Sequence, residues 1–245
     1  MVPGKRLIVA GAAALVIGLI VTFPARIAYQ WFAPPGLVLS GISGSVWSGK
    51  AAQGSAANFY LSDLSWRFRP LSLFTLKAAY HIQATPPAGF MEADVALSPA
   101  GTVSFADLRA AIPLAAMSAI VPMNGIEGDV SVQLDRLVID DGFPTEVNGT
   151  IGVSNLVLQA LSRAAVGDYR AVLETADDAI RGTVEDVSGV LDIDGSLILG
   201  RDRTYSLVGK VAAGPNAPAT ILEQLRFLGS PDADGMREFR FEGSL

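Results

Sequence analysis

Apolar and polar residues alternate with a period of two through most of this chain, which confines it to antiparallel sheet. In Ile126–Leu134 (IEGDVSVQL) the two sets separate completely, and the same holds for Met91–Leu97 and Leu191–Leu199. Leu64–Phe68, Phe74–Ile82, Tyr169–Leu173, Tyr205–Val211 and Phe239–Leu245 repeat the pattern. A period of two sends successive side chains to opposite faces of a strand. One apolar and one polar face describe antiparallel strands with a core on one side and water on the other.

A shorter unit recurs inside these strands: apolar, x, Gly, x, apolar. It is centred on Gly44, Gly128, Gly149, Gly182, Gly195, Gly209 and Gly243, and each glycine falls on the apolar side. Glycine weakens a strand interior, so seven such placements need a structural cause. Two causes fit. The glycines form a line along which a strongly curved sheet folds over its apolar face, or each marks an independent bulge. Their irregular intervals exclude a fixed-period solenoid.

Two segments depart from alternation and are expected to be short helices. Asp107–Ile120 (DLRAAIPLAAMSAI) is rich in Ala, with Pro113 suited to a first helical turn. Leu114, Met117, Ala119 and Ile120 would face the sheet. Ala219–Leu228 places Ile221, Leu222, Leu225 and Leu228 at helical spacing, with Gly229 as a C-cap. Asp140–Pro144 and Pro231–Gly235 have the residues of turns.

The first 26 residues are of another kind. Lys5 and Arg6 precede 17 uncharged residues, Leu7–Phe23, which Pro24, Ala25 and Arg26 follow. At 1.5 Å per residue this run reaches roughly 25 Å, near the lower limit of a membrane span. Tyr29, Trp31 and Phe32 follow at the position of an aromatic belt. The run is longer than a signal-peptide core and no small-x-small cleavage site succeeds it, so an uncleaved anchor is expected. The charges of Lys5 and Arg6 place residues 1–6 in the cytoplasm, 7–23 in the membrane, 24–36 as a juxtamembrane linker and 37–245 on the far side. In a bacterium that is an inner-membrane protein with the bulk of its chain in the periplasm. Ala10, Ala14 and Gly18 form a small-residue stripe of the kind that pairs helices.

Composition narrows the function. The 245 residues carry 18 Lys+Arg against 24 Asp+Glu, a net charge of −6. Only Lys5, Arg6 and Arg26 among these lie in the first 26 residues, so the rest of the chain holds −9. An acidic domain is not a nucleic-acid binder and is repelled by anionic lipid. With no Cys and one His there is no thiolate or His-rich metal site. Gly44–Lys50 (GSVWSGK) resembles a phosphate loop, but Ala51 stands where Ser or Thr would hold Mg²⁺. Asp192/Asp194 and Asp232/Asp234 lack the further acids of a calcium loop. His81 falls on the polar face of its strand, and Asn148–Thr150 reads as a strand position. Arg67 and Arg69 lie either on an outer sheet face or against a partner's acid. No catalytic constellation, cofactor site or metal site is expected.

These residues resemble the type II secretion system protein N family. The likeness runs through Phe23–Arg26, Leu39–Gly49 (LSGISGSVWSG), Asp63–Ser72 (DLSWRFRPLS) and Leu137–Pro144 (LVIDDGFP). It continues in Gly167–Arg170, Pro231–Gly235 and Phe239–Leu245. Family members often have Trp where this chain has Phe143. The resemblance implies a single-pass inner-membrane protein with a periplasmic domain. It would be an accessory part of the machine that exports folded proteins across the outer membrane, in contact with its other components. It also implies a fold similar to AsmA-like proteins, whose curved sheets enclose an apolar groove. The alternative function is therefore a periplasmic lipid-binding or lipid-transfer module.

Overall fold

The computed structural model describes residues 4–33, 36–56, 59–86, 88–117, 125–160 and 162–244. Helix α1 (Gly4–Val21) and helix α2 (Ala25–Phe32) are separated at Pro24. The sheet begins with β1 (Leu37–Ser40), the short β2 (Ser43–Gly44) and β3 (Ser48–Ala56). Next come β4 (Phe59–Phe68), β5 (Ala78–Thr85), β6 (Phe90–Leu97) and β7 (Val103–Pro113). The longest strands, β8 (Ile126–Asp140) and β9 (Phe143–Leu158), form one hairpin. The last are β10 (Gly167–Ala176), β11 (Ala179–Gly189), β12 (Leu191–Gly200), β13 (Thr204–Ala213) and β14 (Arg237–Ser244). From β3 onward each strand pairs with its sequence neighbour, and β1 and β2 both pair with β3. The result is one antiparallel sheet with β1 and β14 at its two ends, and the two do not pair among the described residues.

The sheet curls. The β8–β9 and β12–β13 turns lie four strand spacings apart, ~19 Å in a flat sheet. Yet Arg203 of the second turn lies 3.7 Å from the Asp141 carboxylate of the first, and its guanidinium is 5.5 Å from the Phe143 ring. An arginine side chain bridges that gap only if the strands bend toward each other.

Three apolar clusters fill the inner face. Ala25, Ile42 and Ala51 form one beneath α2. Leu134, Val147 and Ile180 form the middle one. Val166, Tyr169, Leu191 and Val211 form the third, sealed by Ile221 and Leu225 of helix α4 (Ala219–Leu225). Helix α4 continues through a 3-10 turn, Arg226–Leu228, to Gly229 at φ 96°. Leu222 and Leu228, at the same helical spacing, stay exposed.

The repeated glycines do not share one line. Gly149 pairs with Leu134 and Leu173, Leu173 pairs with Gly182, and Gly182 pairs with Leu197. Gly195 and Gly209 face each other in a different row, Gly243 faces Tyr205 and Gly44 faces Gly49. Gly128 sits at a register shift opposite β9. Several of these glycines stand beside a large side chain. A methyl group on Gly182 would lie 2.9 Å from Leu173 Cδ2, on Gly209 2.7 Å from Phe239 Cζ, and on Gly243 2.8 Å from the Tyr205 hydroxyl. The missing side chains let big cross-strand neighbours lie flat, as aromatic residues do over sheet glycines.

Two segments differ from the sequence expectation. Asp107–Pro113 is not helical; it continues β7, and the helix α3 (Leu114–Met117) begins only after Pro113. Asp107 takes φ 49°, a bulge that shifts the apolar phase from Val103 and Phe105 to Leu108, Ala110 and Ile112. The resulting three-residue step mimics helical spacing. Leu114 is buried, whereas Ala119 and Ile120 lie outside the described residues. In Phe74–Ile82 only Ala78 onward is strand. Pro70–Thr75 is a 3-10 helix closed by Leu76 at φ 55°. Ser72 stitches it, donating its hydroxyl to Arg69 O (2.7 Å) and accepting from Ala79 N (3.1 Å).

Candidate functional site

The junction between α1 and the first strands is the most elaborately built part of the chain. Proline lacks an N–H and fixes φ, so Pro24 ends one helix and leads into the next. Phe23 O accepts Val46 N at 3.0 Å, and Pro24 bridges to Ser45. Trp47 donates its indole N–H to Ile20 O at 2.8 Å, and Trp66 donates to Ser45 O at 3.1 Å. The Trp47, Phe68 and Tyr80 rings follow edge to face at 4.8 and 5.2 Å. The last turn of α1 is thus tied to the sheet by backbone and indole donors together. Alternation gave no sign of this role for Trp47 and Trp66, because both bonds run to segments distant in sequence.

Of the residues expected to anchor the chain, Phe23, Tyr29 and Trp31 fall along this junction. Lys5, Arg6 and Leu7 lie in α1 ahead of the residues whose side chains are described. Phe23 stacks obliquely on Trp31 at 6.0 Å, and Trp31 is exposed. Tyr29 is turned onto the sheet instead of outward. Its hydroxyl donates to Leu37 O and accepts from Leu39 N, both at 3.0 Å, and so sets the start of β1. From Ile8 to Val21 the large apolar residues of α1 are all more than half exposed. Its 18 residues rise about 27 Å, against roughly 30 Å of hydrocarbon. Among the described residues no helix is long and apolar enough to cross a membrane.

The other candidates resolve into structure. Gly44–Lys50 is the β2–β3 hairpin, with no helix behind it. His81 is not simply solvated: its Nδ1 lies 2.8 Å from Asp94, which Arg69 also pairs. Asn148 accepts Thr175 N at 3.0 Å. Asp232 caps its turn through Asp234 N and Met236 N and pairs with Lys210 at 2.7 Å. Lys210 first, and these amides after it, hold the Asp232 carboxyl below its usual range. Among the described residues no three acids or histidines gather as a metal site.

Asp168 of the Gly167–Arg170 segment was not singled out by sequence. It accepts Asn155 N (2.8 Å) from β9 and Ser188 Oγ (2.9 Å) from β11, and the two bonds lower its carboxyl pKa in that order. Beside it, Tyr169 donates to Val166 O at 3.2 Å. Burial, and then the charges of Asp186, Asp168 and Asp192, push its phenol up to about 12. These groups pin three strands.

The fold and the junction define a class: a one-sheet protein with an apolar helix at its N-terminal corner and open strand edges at both ends. Comparison with known proteins specifies it further. The family model described as type II secretion system (T2SS), protein N matches residues 35–240. The chain belongs to that family. It is 24% identical over 235 residues to the type II secretion system protein N of Aeromonas hydrophila, covering 93% of each chain. No solved structure matches it.

Proposed function

We propose that this chain is an accessory component of type II secretion. Helix α1 anchors it in the inner membrane, and its sheet lies in the periplasm against other secretion proteins. The observation that carries this reading is the family match across the whole sheet region, residues 35–240. The anchor is supported by the apolar surface of α1, whose large residues from Ile8 to Val21 are more than half exposed among the described residues. The shortfall of about 3 Å is within what tilt-free insertion with local thinning, or snorkelling by Lys5, Arg6 and Arg26, accommodates. The contact surface is a strand edge. Among the described residues β14 pairs only with β13, which leaves the N–H and C=O groups along its other side for an added strand. Phe241 on β14 is exposed. No catalytic role is proposed.

The test is deletion of the gene in a secreting bacterium, with complementation by the full chain. The reading expects exoproteins to build up in the periplasm, or other secretion components to be lost. Unchanged export with stable components would sink it.

One observation favours a second reading, an AsmA-like lipid-binding module. An open apolar depression of about 270 Å³ lies between α2 and the sheet, lined by Ala25, Ala28, Val46, Leu64, Trp66, Tyr80 and Ile82. It is slightly below the size of ordinary ligand sites. Mass spectrometry of the full chain released intact from detergent decides: a bound phospholipid of fixed stoichiometry supports lipid handling, and none excludes it.

A further inference from the structure

The 3-10 helix between β4 and β5 carries the most exposed apolar group of the sheet region. Leu71, Leu73, Phe74 and Leu76 are 76%, 54%, 87% and 77% exposed within six residues. A soluble surface rarely gathers so many large apolar side chains without a partner. The loop is held in place, since Ser72 bonds both of its ends.

Its position identifies what it meets. Phe68, two residues before Pro70, donates its N–H to Trp47 O at 2.6 Å and packs its ring on Trp47. Trp47 in turn bonds Ile20 O in the last turn of α1. The exposed loop therefore sits beside the point where the apolar helix ends.

Charge agrees. From Leu64 to Met91 the sequence has Arg67, Arg69 and Lys77 and no acid, within a chain that is otherwise acidic. Arg69 pairs with Asp94, while neither Arg67 nor Lys77 pairs with an acid among the described residues. Alternate turns of a meander lie on one edge, so the β8–β9, β10–β11 and β12–β13 turns share this edge. They carry Asp141, Asp177, Asp178 and Asp202, and Arg203, Arg181 and Arg201 pair with the first three of these acids in turn. One corner of the edge is apolar and cationic, and these three turns are polar, with four acids against two arginines of their own.

We propose that the loop Leu71–Leu76 is a second membrane contact. It inserts its leucines and Phe74 into the interfacial layer of the bilayer that α1 spans, while Arg67 and Lys77 meet anionic headgroups. The β8–β9, β10–β11 and β12–β13 turns carry no apolar side chain to insert. This rests on the anchoring proposed above. An apolar face buried at headgroup depth with flanking cations is how interfacial segments bind.

The chain has no Cys, so single cysteines report cleanly. Full-length Val16→Cys, Leu71→Cys, Phe74→Cys and Asp177→Cys are labelled with an environment-sensitive fluorophore. They are reconstituted in phosphatidylethanolamine–phosphatidylglycerol vesicles with doxyl lipids of stated depth. The proposal expects blue-shifted emission at 71 and 74 that shallow doxyl groups quench, deep quenching at 16, and no quenching at 177. Quenching at 16 with water-like emission at both 71 and 74 overturns the proposal and leaves the anchor standing. A blue shift at 71 and 74 without lipid quenching also overturns it, since a protein then covers the loop. No quenching at 16 refutes the anchor, and the second contact with it.

Discussion

Gly195 and Gly209 are direct partners across β12 and β13, yet a methyl group should affect the protein in opposite ways at the two positions. At Gly209 the added carbon would lie 2.6 Å from Asp194 O, 2.7 Å from Phe239 Cζ and 2.8 Å from Gly195 Cα. Two of those atoms are backbone of the paired strand, so relief means prising β12 from β13. Overpacking of this kind costs about 1–3 kcal/mol. At Gly195 the nearest atoms, Phe239 Cζ and Val208 O, are 3.6 Å away, an ordinary contact. There the methyl reduces the freedom of the unfolded chain and stabilises by about 0.4–1 kcal/mol. In a domain of this size each kcal/mol moves Tm by roughly 2–4 °C. Thermal unfolding of the full chain in detergent, followed by near-ultraviolet circular dichroism, should rank Gly195→Ala at or above the natural protein and Gly209→Ala clearly below it. Equal losses, or the reverse order, would refute the account of the glycines as space for Phe239.

Three further outcomes follow from the same geometry. Unfolded tyrosine titrates near 10 and Tyr169 at about 12, so the unfolded chain loses its proton first as pH rises. Stability should therefore fall between those values by on the order of 2 kcal/mol, and Tyr169→Phe should flatten that fall in alkaline denaturation curves. Ile221 is 1% exposed at the seal of the C-terminal cluster, and Ile221→Ala should cost about 2–5 kcal/mol by equilibrium unfolding. Trp47→Phe removes the donor to Ile20 O and should loosen the junction by ~1 kcal/mol, read as faster amide exchange at Val46 with β10–β13 unchanged.

Much of the sheet was legible from sequence because β4, β6, β8, β10, β12, β13 and β14 hold stretches of strict alternation, and pairing of sequence neighbours follows where the turns are short. Asp141 and Gly142, both at positive φ, close the β8–β9 hairpin as their residue types suggest. Legibility failed where one residue changed the phase. Asp107 turned a strand into an apparent helix, and Phe74–Leu76 imitated alternation while closing a 3-10 turn. The glycines were visible, but their register was not, because rows across a sheet depend on every bulge between them. The helix–sheet junction was hidden for a different reason. Trp47 reaches Ile20 across 27 residues, and no periodicity encodes such a contact. Asp168 likewise reads as a surface acid until β9 and β11 are brought to it.

The central claim is that the open edge at β14 receives another secretion protein. A photo-crosslinking residue at Phe241, in secreting cells that carry the full chain, tests it directly. Ser131, exposed in the middle of the sheet, is the control position. The account predicts a discrete adduct from 241 to a second type II secretion component, absent at 131 and lost when the secretion genes are removed. Adducts equal at both positions, or none at 241 while export proceeds, would contradict it.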